Sequence, residues 1–140
     1  MSSTRDVKVV VTARNPHWQF GNITLAAGET AQISASGKWG VADPAKNGLT
    51  GPGGFFSPAG QTFYKPGAPA GCLLILTGDG EVLNFNGDTD LLTVRRPGPL
   101  HFVANDDRLP DFPAQKGFDD NVGSMTVKIR ITSELEVERR

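Results

Sequence analysis

Apolar and polar positions alternate with a period of two along much of the chain, which predicts strands rather than helices. Between Thr30 and Ser36, Ala31, Ile33 and Ala35 share one face while Gln32, Ser34 and Ser36 share the other. Leu100, Phe102 and Ala104 alternate with His101 and Val103, and Met125, Val127, Ile129 and Ile131 alternate with Thr126, Lys128, Arg130 and Thr132. Two shorter stretches, Lys8 to Ala13 and Asn22 to Leu25, are β-branched or closed by Ala27-Gly28. The stretch Cys72 to Thr77 is apolar without a break through Leu76, as suits a central strand covered on both faces. Glu81 to Phe85 and Leu91 to Val94 follow, separated by the turn signal Asn86-Gly87-Asp88. About eight short strands with no amphipathic helix predict an all-β fold, an antiparallel jelly-roll β-sandwich. The long Gly40–Gly71 segment, rich in Gly, Pro and Ala, is expected to be an extended surface excursion, and long ordered loops tend to carry function.

Composition narrows this picture. A chain of 140 residues suits a single core, here a domain over 1–132 followed by a charged tail, 133–140, expected to fray. The 17 Gly and 10 Pro fall between apolar runs without a repeat, so they mark turns rather than disorder. A net charge of −1 gives no general drive toward nucleic acid or an anionic membrane. No apolar run approaches membrane-spanning length. Met1-Ser2-Ser3-Thr4-Arg5-Asp6 has no apolar core behind it, so the protein is expected to be cytoplasmic or exported without a cleavable signal. Cys72 stands alone, which rules out an intrachain disulfide or a cysteine metal cluster, and it is expected to be buried.

The acids are unevenly placed. Asp106, Asp107, Asp111, Asp119 and Asp120 crowd one segment, opposed there only by Arg108 and Lys116. Asn105-Asp106-Asp107 ends one predicted strand, and Asp119-Asp120-Asn121-Val122-Gly123 begins another. If those strands are neighbours, both clusters lie at one end of a sheet. Carboxylates about 4–5 Å apart repel by roughly 3–4 kcal/mol at an effective dielectric near 20. A hard cation removes that repulsion, and oxygen-only ligands are what calcium takes. The side-chain donors would be Asp106, Asp120 and Asn121, with carbonyls from the intervening loop and the Gly40–Gly71 excursion. The plainer alternative is that Asp-Asp-Asn-x-Gly is a turn whose side chains bond nearby amides.

Catalytic signals are weak. His17 and His101 have no zinc-ligand spacing, and there is no Gly-x-Ser-x-Gly elbow. Gly51-Pro52-Gly53-Gly54 neither follows a strand nor opens a helix, so it reads as a surface turn rather than a phosphate cradle. Five crowded carboxylates suit a cation better than a hydrolytic pair. Trp18 and Trp39 could offer an aromatic face to a sugar, although Trp39 is expected in the core.

Taken in order, several of these pieces resemble the PA-IL (LecA-type) family of bacterial calcium-dependent, galactose-binding lectins. Trp18, Ile23-Thr24-Leu25-Ala26-Ala27-Gly28-Glu29, Ile33-Ser34-Ala35-Ser36-Gly37-Lys38-Trp39, Gly51-Pro52-Gly53-Gly54 and Gly71-Cys72-Leu73-Leu74-Ile75 carry the first part of the resemblance. Asn105-Asp106 and Asp120-Asn121-Val122-Gly123-Ser124-Met125-Thr126-Val127 carry the rest. The resemblance implies calcium (Ca2+) held by the side chains of Asp106, Asp120 and Asn121 and by carbonyls at Gly117 and Ala42. It implies a sugar that chelates the calcium through two vicinal hydroxyls, in a site formed by Asp106, Asp107, Asp120 and Pro58. It also implies a homo-oligomer, a dimer or tetramer, acting on extracellular glycans. Two features depart from the family. Its His-Pro-x-Gln stretch is Ser57-Pro58-Ala59-Gly60 here, and the Asp107–Asp119 segment, with Pro110, Phe112 and Pro113, is longer. The rival reading is a calcium-stapled protein-interaction module that uses Phe55-Phe56 and Phe112.

Overall fold

A computed structural model of the chain describes residues 3–41, 48–55, 58–61, 63–85, 91–106 and 121–133. The strands are β1 (Ser3–Thr12), β2 (Gln19–Leu25), β3 (Glu29–Gly40), β4 (Leu73–Leu76), β5 (Val82–Asn84), β6 (Leu91–Val94), β7 (Gly98–Ala104) and β8 (Val122–Ser133). They form two four-stranded antiparallel sheets, ordered β1-β8-β3-β6 and β2-β7-β4-β5. This interleaving is that of an eight-stranded jelly roll. Among the described residues there is no helix, and none long and apolar enough to cross a membrane.

Period-two alternation decides what each strand buries. In β3, Ala31, Ile33 and Ala35 turn inward, and their β8 partners Ile131, Ile129 and Val127 do the same. The second sheet contributes Leu100, Phe102 and Ala104 from β7 and Leu73, Leu74 and Ile75 from β4. Cys72 to Ile75 are wholly buried, as a continuous apolar run requires, and that burial pushes the Cys72 thiol up to about 12. Trp39 belongs to the core, its Nε1 donating to the Gly71 carbonyl at 2.7 Å.

The β2–β3 turn is structural. Gly28 takes φ 85°, which a side chain would resist. Glu29 closes the turn, its Oε1 accepting from the Ala26 amide at 2.7 Å and its Oε2 meeting Arg5 at 3.2 Å.

Two expectations change. The described part of the 40–71 excursion is hydrogen-bonded along its length rather than merely extended. Thr50 and Trp39 exchange backbone hydrogen bonds at 2.8 and 3.0 Å, the Leu73 amide donates to Pro52 at 2.8 Å, and Pro58 bridges Pro69. The segment lies against other backbone, so its peptide groups need protein partners. Second, β7 and β8 are not neighbours in one sheet. β7 pairs with β2 and β4, and β8 with β1 and β3. In a jelly roll these two strands lie in opposite sheets, so Asn105-Asp106 and Asn121 flank strands of different sheets rather than one sheet end.

Candidate functional site

Register brings several strand ends together. Gly40 at the end of β3 pairs with Val122 at the start of β8, and Thr12 at the end of β1 pairs with Ser124. In the other sheet, Leu73 at the start of β4 pairs with Ala104 at the end of β7. Gly71 ties the two sheets at this end. Its carbonyl accepts from Trp39, and its amide donates to the Asn105 carbonyl at 2.8 Å. Asn105, Asp106 and Asn121, which flank these ends, are all buried.

Asn105 and Asp106 are adjacent but differ in function. The Asn105 side chain is fully used inside the protein. Its Oδ1 accepts from the Lys65 amide at 2.9 Å, and its Nδ2 donates to the Lys65 and Pro69 carbonyls at 3.0 and 3.2 Å. It therefore pins the returning half of the excursion to the end of β7. Asp106 is only 2% exposed. It takes part in other interactions, and its Oδ2 accepts no hydrogen bond.

Asn121 gives the clearest chemical signal. Its Nδ2 donates to the buried Ala13 carbonyl at 2.9 Å. That bond sets the amide's orientation, because the flipped amide would turn oxygen toward oxygen. Oδ1 is thereby directed away from Ala13, buried and with no hydrogen-bond donor. A buried acceptor left unsatisfied costs about 1–3 kcal/mol. A hard cation would satisfy it, and a carboxylate together with an amide oxygen is a donor set such a cation takes.

The start of β8 is locally constrained. Gly123 has φ 87°, and a Cβ there would lie 2.7 Å from the Lys38 carbonyl oxygen and 3.0 Å from the Trp39 Cα. The close approach of β3 that this permits, with the Ala13 amide donating to the Gly123 carbonyl at 3.1 Å, fixes the backbone two residues beyond Asn121.

Of the residues expected in the site, the structure places Asp106 and Asn121 at these strand ends. Pro58 is exposed and pairs with Pro69, whose carbonyl the Asn105 side chain binds, so its ladder leads to the residue beside Asp106. Ala42, Asp107, Gly117 and Asp120 lie outside the described residues. Among the described residues no three His, Cys, Asp or Glu side chains converge; Asn121 is not of those types. Trp18 is half-buried in an edge-on contact with Tyr64, with centroids 5.2 Å apart, and Tyr64 Oη donates to the Pro16 carbonyl. Two contributions escaped the sequence reading, the Asn105 tether and the Ala13 carbonyl. An Asn beside an acid at the end of a predicted strand was the only sequence signal for the first.

These features define an eight-stranded jelly-roll sandwich with buried oxygen donors at one end. The chain is similar to a solved domain described as the EclA N-terminal domain, a PllA-like lectin. The match has a TM-score of 0.53 and 24% identity, and covers 88% of this chain and 93% of that one. This likeness shows the fold. No protein-family model matches the chain, and no curated protein does.

Proposed function

We propose that this protein is a calcium-dependent carbohydrate-binding module without catalytic activity. The observation that carries the reading is the Asn121 amide, oriented by Ala13 so that a buried oxygen is left with no donor at the end of the sandwich that also holds Asp106. The lectin fold of the solved domain supports the same reading. Asp106, Asp120 and Asn121 would hold the ion with their side chains, and Gly117 and Ala42 with their carbonyls. Bound calcium supplies a Lewis-acidic centre for two vicinal hydroxyls of galactose or a related sugar. Asp106, Asp107 and Asp120 accept hydrogen bonds from those hydroxyls, and charged acceptors make such bonds short and strong. Pro58 contributes a wall, and Ser57 and Gly60 give little grip on an exocyclic hydroxyl. A small open site of this kind binds a monosaccharide at roughly millimolar Kd, about −4 kcal/mol. Useful avidity then comes from a homo-oligomer presenting several sites.

The interaction-module reading has less support. Phe55, half of the proposed Phe-Phe surface, packs against the core instead of standing free. Calorimetry with galactosides decides between the two. Heat should appear with calcium and vanish in EDTA. Binding that survives EDTA defeats the mechanism, and a calcium-loaded protein that binds no monosaccharide returns the choice to the interaction module.

A further inference from the structure

The outer face of the β1-β8-β3-β6 sheet carries a shallow groove of about 470 Å³ far from the strand-end site. Two cross-strand rows contribute its lining, and all their members but Thr93 face it. In the first, Lys8 pairs with Lys128, Lys128 with Ser34, and Ser34 with Leu91. In the second, Asp6 pairs with Arg130, Arg130 with Gln32, and Gln32 with Thr93. Like charges directly opposed on neighbouring strands are destabilising, with Cβ atoms about 5 Å apart. Lys8 and Lys128 are such a pair, and both are exposed. The acid in the groove cannot relieve them, because Asp6 is engaged by Arg130, with Oδ1 3.0 Å from Nε. Neither lysine makes an ion pair among the described residues. The whole chain carries −1, so this positive patch is local and not an effect of overall charge.

We infer that this groove is a second, calcium-independent binding site for the oxyanion group of an acidic saccharide, seated between Lys8 and Lys128. A sulfate or carboxylate presents several acceptors that two ammonium groups can share through charge-assisted hydrogen bonds. The rest of the groove suits a sugar ring rather than a bare ion. Ser34 and Gln32 offer hydroxyl and amide groups to ring hydroxyls, and Leu91, 49% exposed, offers an apolar edge to a C–H face. Naming a saccharide rests on the carbohydrate-binding reading above; the anion follows from the lysine pair alone. Lys128 is seven residues beyond Asn121 along the β8 strand, roughly 20 Å at the usual rise, so both sites can be filled together.

The test uses the full chain in EDTA at low ionic strength, with a heparin-derived tetrasaccharide, its desulfated counterpart, a neutral tetrasaccharide and inorganic sulfate as probes. The heparin fragment should bind, weaken as salt is raised, and lose about tenfold in affinity in Lys8→Gln/Lys128→Gln. Desulfated fragment that still binds assigns the carboxylate, and loss of binding assigns the sulfate; either sustains the site, while the neutral probe should not bind. The substitutions are on exposed side chains, so the variant should melt no lower than wild type. Unchanged affinity in the double variant, or no binding by wild type, overturns the proposal. Inorganic sulfate binding as tightly as the fragment overturns its saccharide part. Calcium-dependent galactoside binding should be the same in the double variant, so failure of one site is distinguishable from failure of the other.

Discussion

Replacing Asp106 by Asn should cost more stability in calcium than in its absence. The side chain is 2% exposed, so in wild type a carboxylate is held almost entirely out of water. Without a cation, a near-isosteric neutral amide removes the desolvation of that charge. Asp106→Asn also alters the other interactions that Asp106 makes, so its effect in excess EDTA is the baseline from which the calcium effect is read. With calcium at about a hundredfold excess over its dissociation constant, wild type gains about 2.7 kcal/mol by mass action. The variant has lost a charged ligand and forfeits most of that gain. For 140 residues the unfolding entropy is roughly 0.3 kcal/mol per kelvin. The calcium shift of wild type is then about 9 °C.

The assay is differential scanning calorimetry of both proteins in EDTA and in calcium. The variant should fall further below wild type in calcium than in EDTA, by most of the wild-type calcium shift. Asp6→Asn is the control. It removes an exposed carboxylate from the outer sheet face, so its difference from wild type should be the same in the two conditions. The same wild-type-to-Asp106→Asn difference in both conditions would refute the metal role of Asp106. A wild type whose melting ignores calcium altogether would refute the site.

Three further outcomes follow from the structure. Asn105→Ala should lose about 3 kcal/mol, about 1 for each of three part-buried side-chain hydrogen bonds, and limited proteolysis should then cut within the released 58–70 segment. Gly123→Ala should cost about 3 kcal/mol because its Cβ meets β3 backbone, whereas Gly80→Ala, with φ 87° but open space around it, should cost about 1–2 kcal/mol from φ alone; chemical denaturation compares them, and equal losses would refute the contact argument. Cys72 should resist thiol reagents in the native state, and because its folded pKa is raised to about 12 the unfolded thiol ionises first, so stability present below pH 9 should fall by about 1.4 kcal/mol per pH unit between about 9 and 12, a slope absent in Cys72→Ala.

β3, β7 and β8 were legible in the alternation because each sheet turns one face to the core, and a period of two then writes burial into composition; β4 was legible instead as an unbroken apolar run. The bounds were less so. β1 begins at Ser3, well before the β-branched run at Lys8, because its early part is held by backbone pairing with β8 rather than by side-chain burial. Sheet partnership was not legible either. Period two says which side of a strand faces inward, not which strand lies beside it, and so β7 and β8 could be imagined as neighbours. The turn at Gly28 and the burial of Trp39 and Cys72 were readable from local chemistry, since each depends on residue type more than on distant partners.

The site is where sequence reasoning is weakest, and the reason is physical. Its first half, Asn105-Asp106, contains two polar residues that composition cannot separate, both buried. What separates them is where their hydrogen bonds go. Asn105 is satisfied by Lys65 and Pro69, some 40 positions back, and so works for the fold. The second half turns on Asn121, whose partner Ala13 is 108 positions away. Only when that carbonyl has claimed the amide nitrogen does the oxygen become an acceptor with a fixed direction and nothing to accept. A cluster of acids in a sequence indicates that a cation is plausible. A buried oxygen held in place by a bond it does not itself make is stronger ground, because folding has removed its water and supplied no donor in return. This is why the functional reading rests on an uncharged residue at the edge of the acidic segment rather than on the number of acids within it.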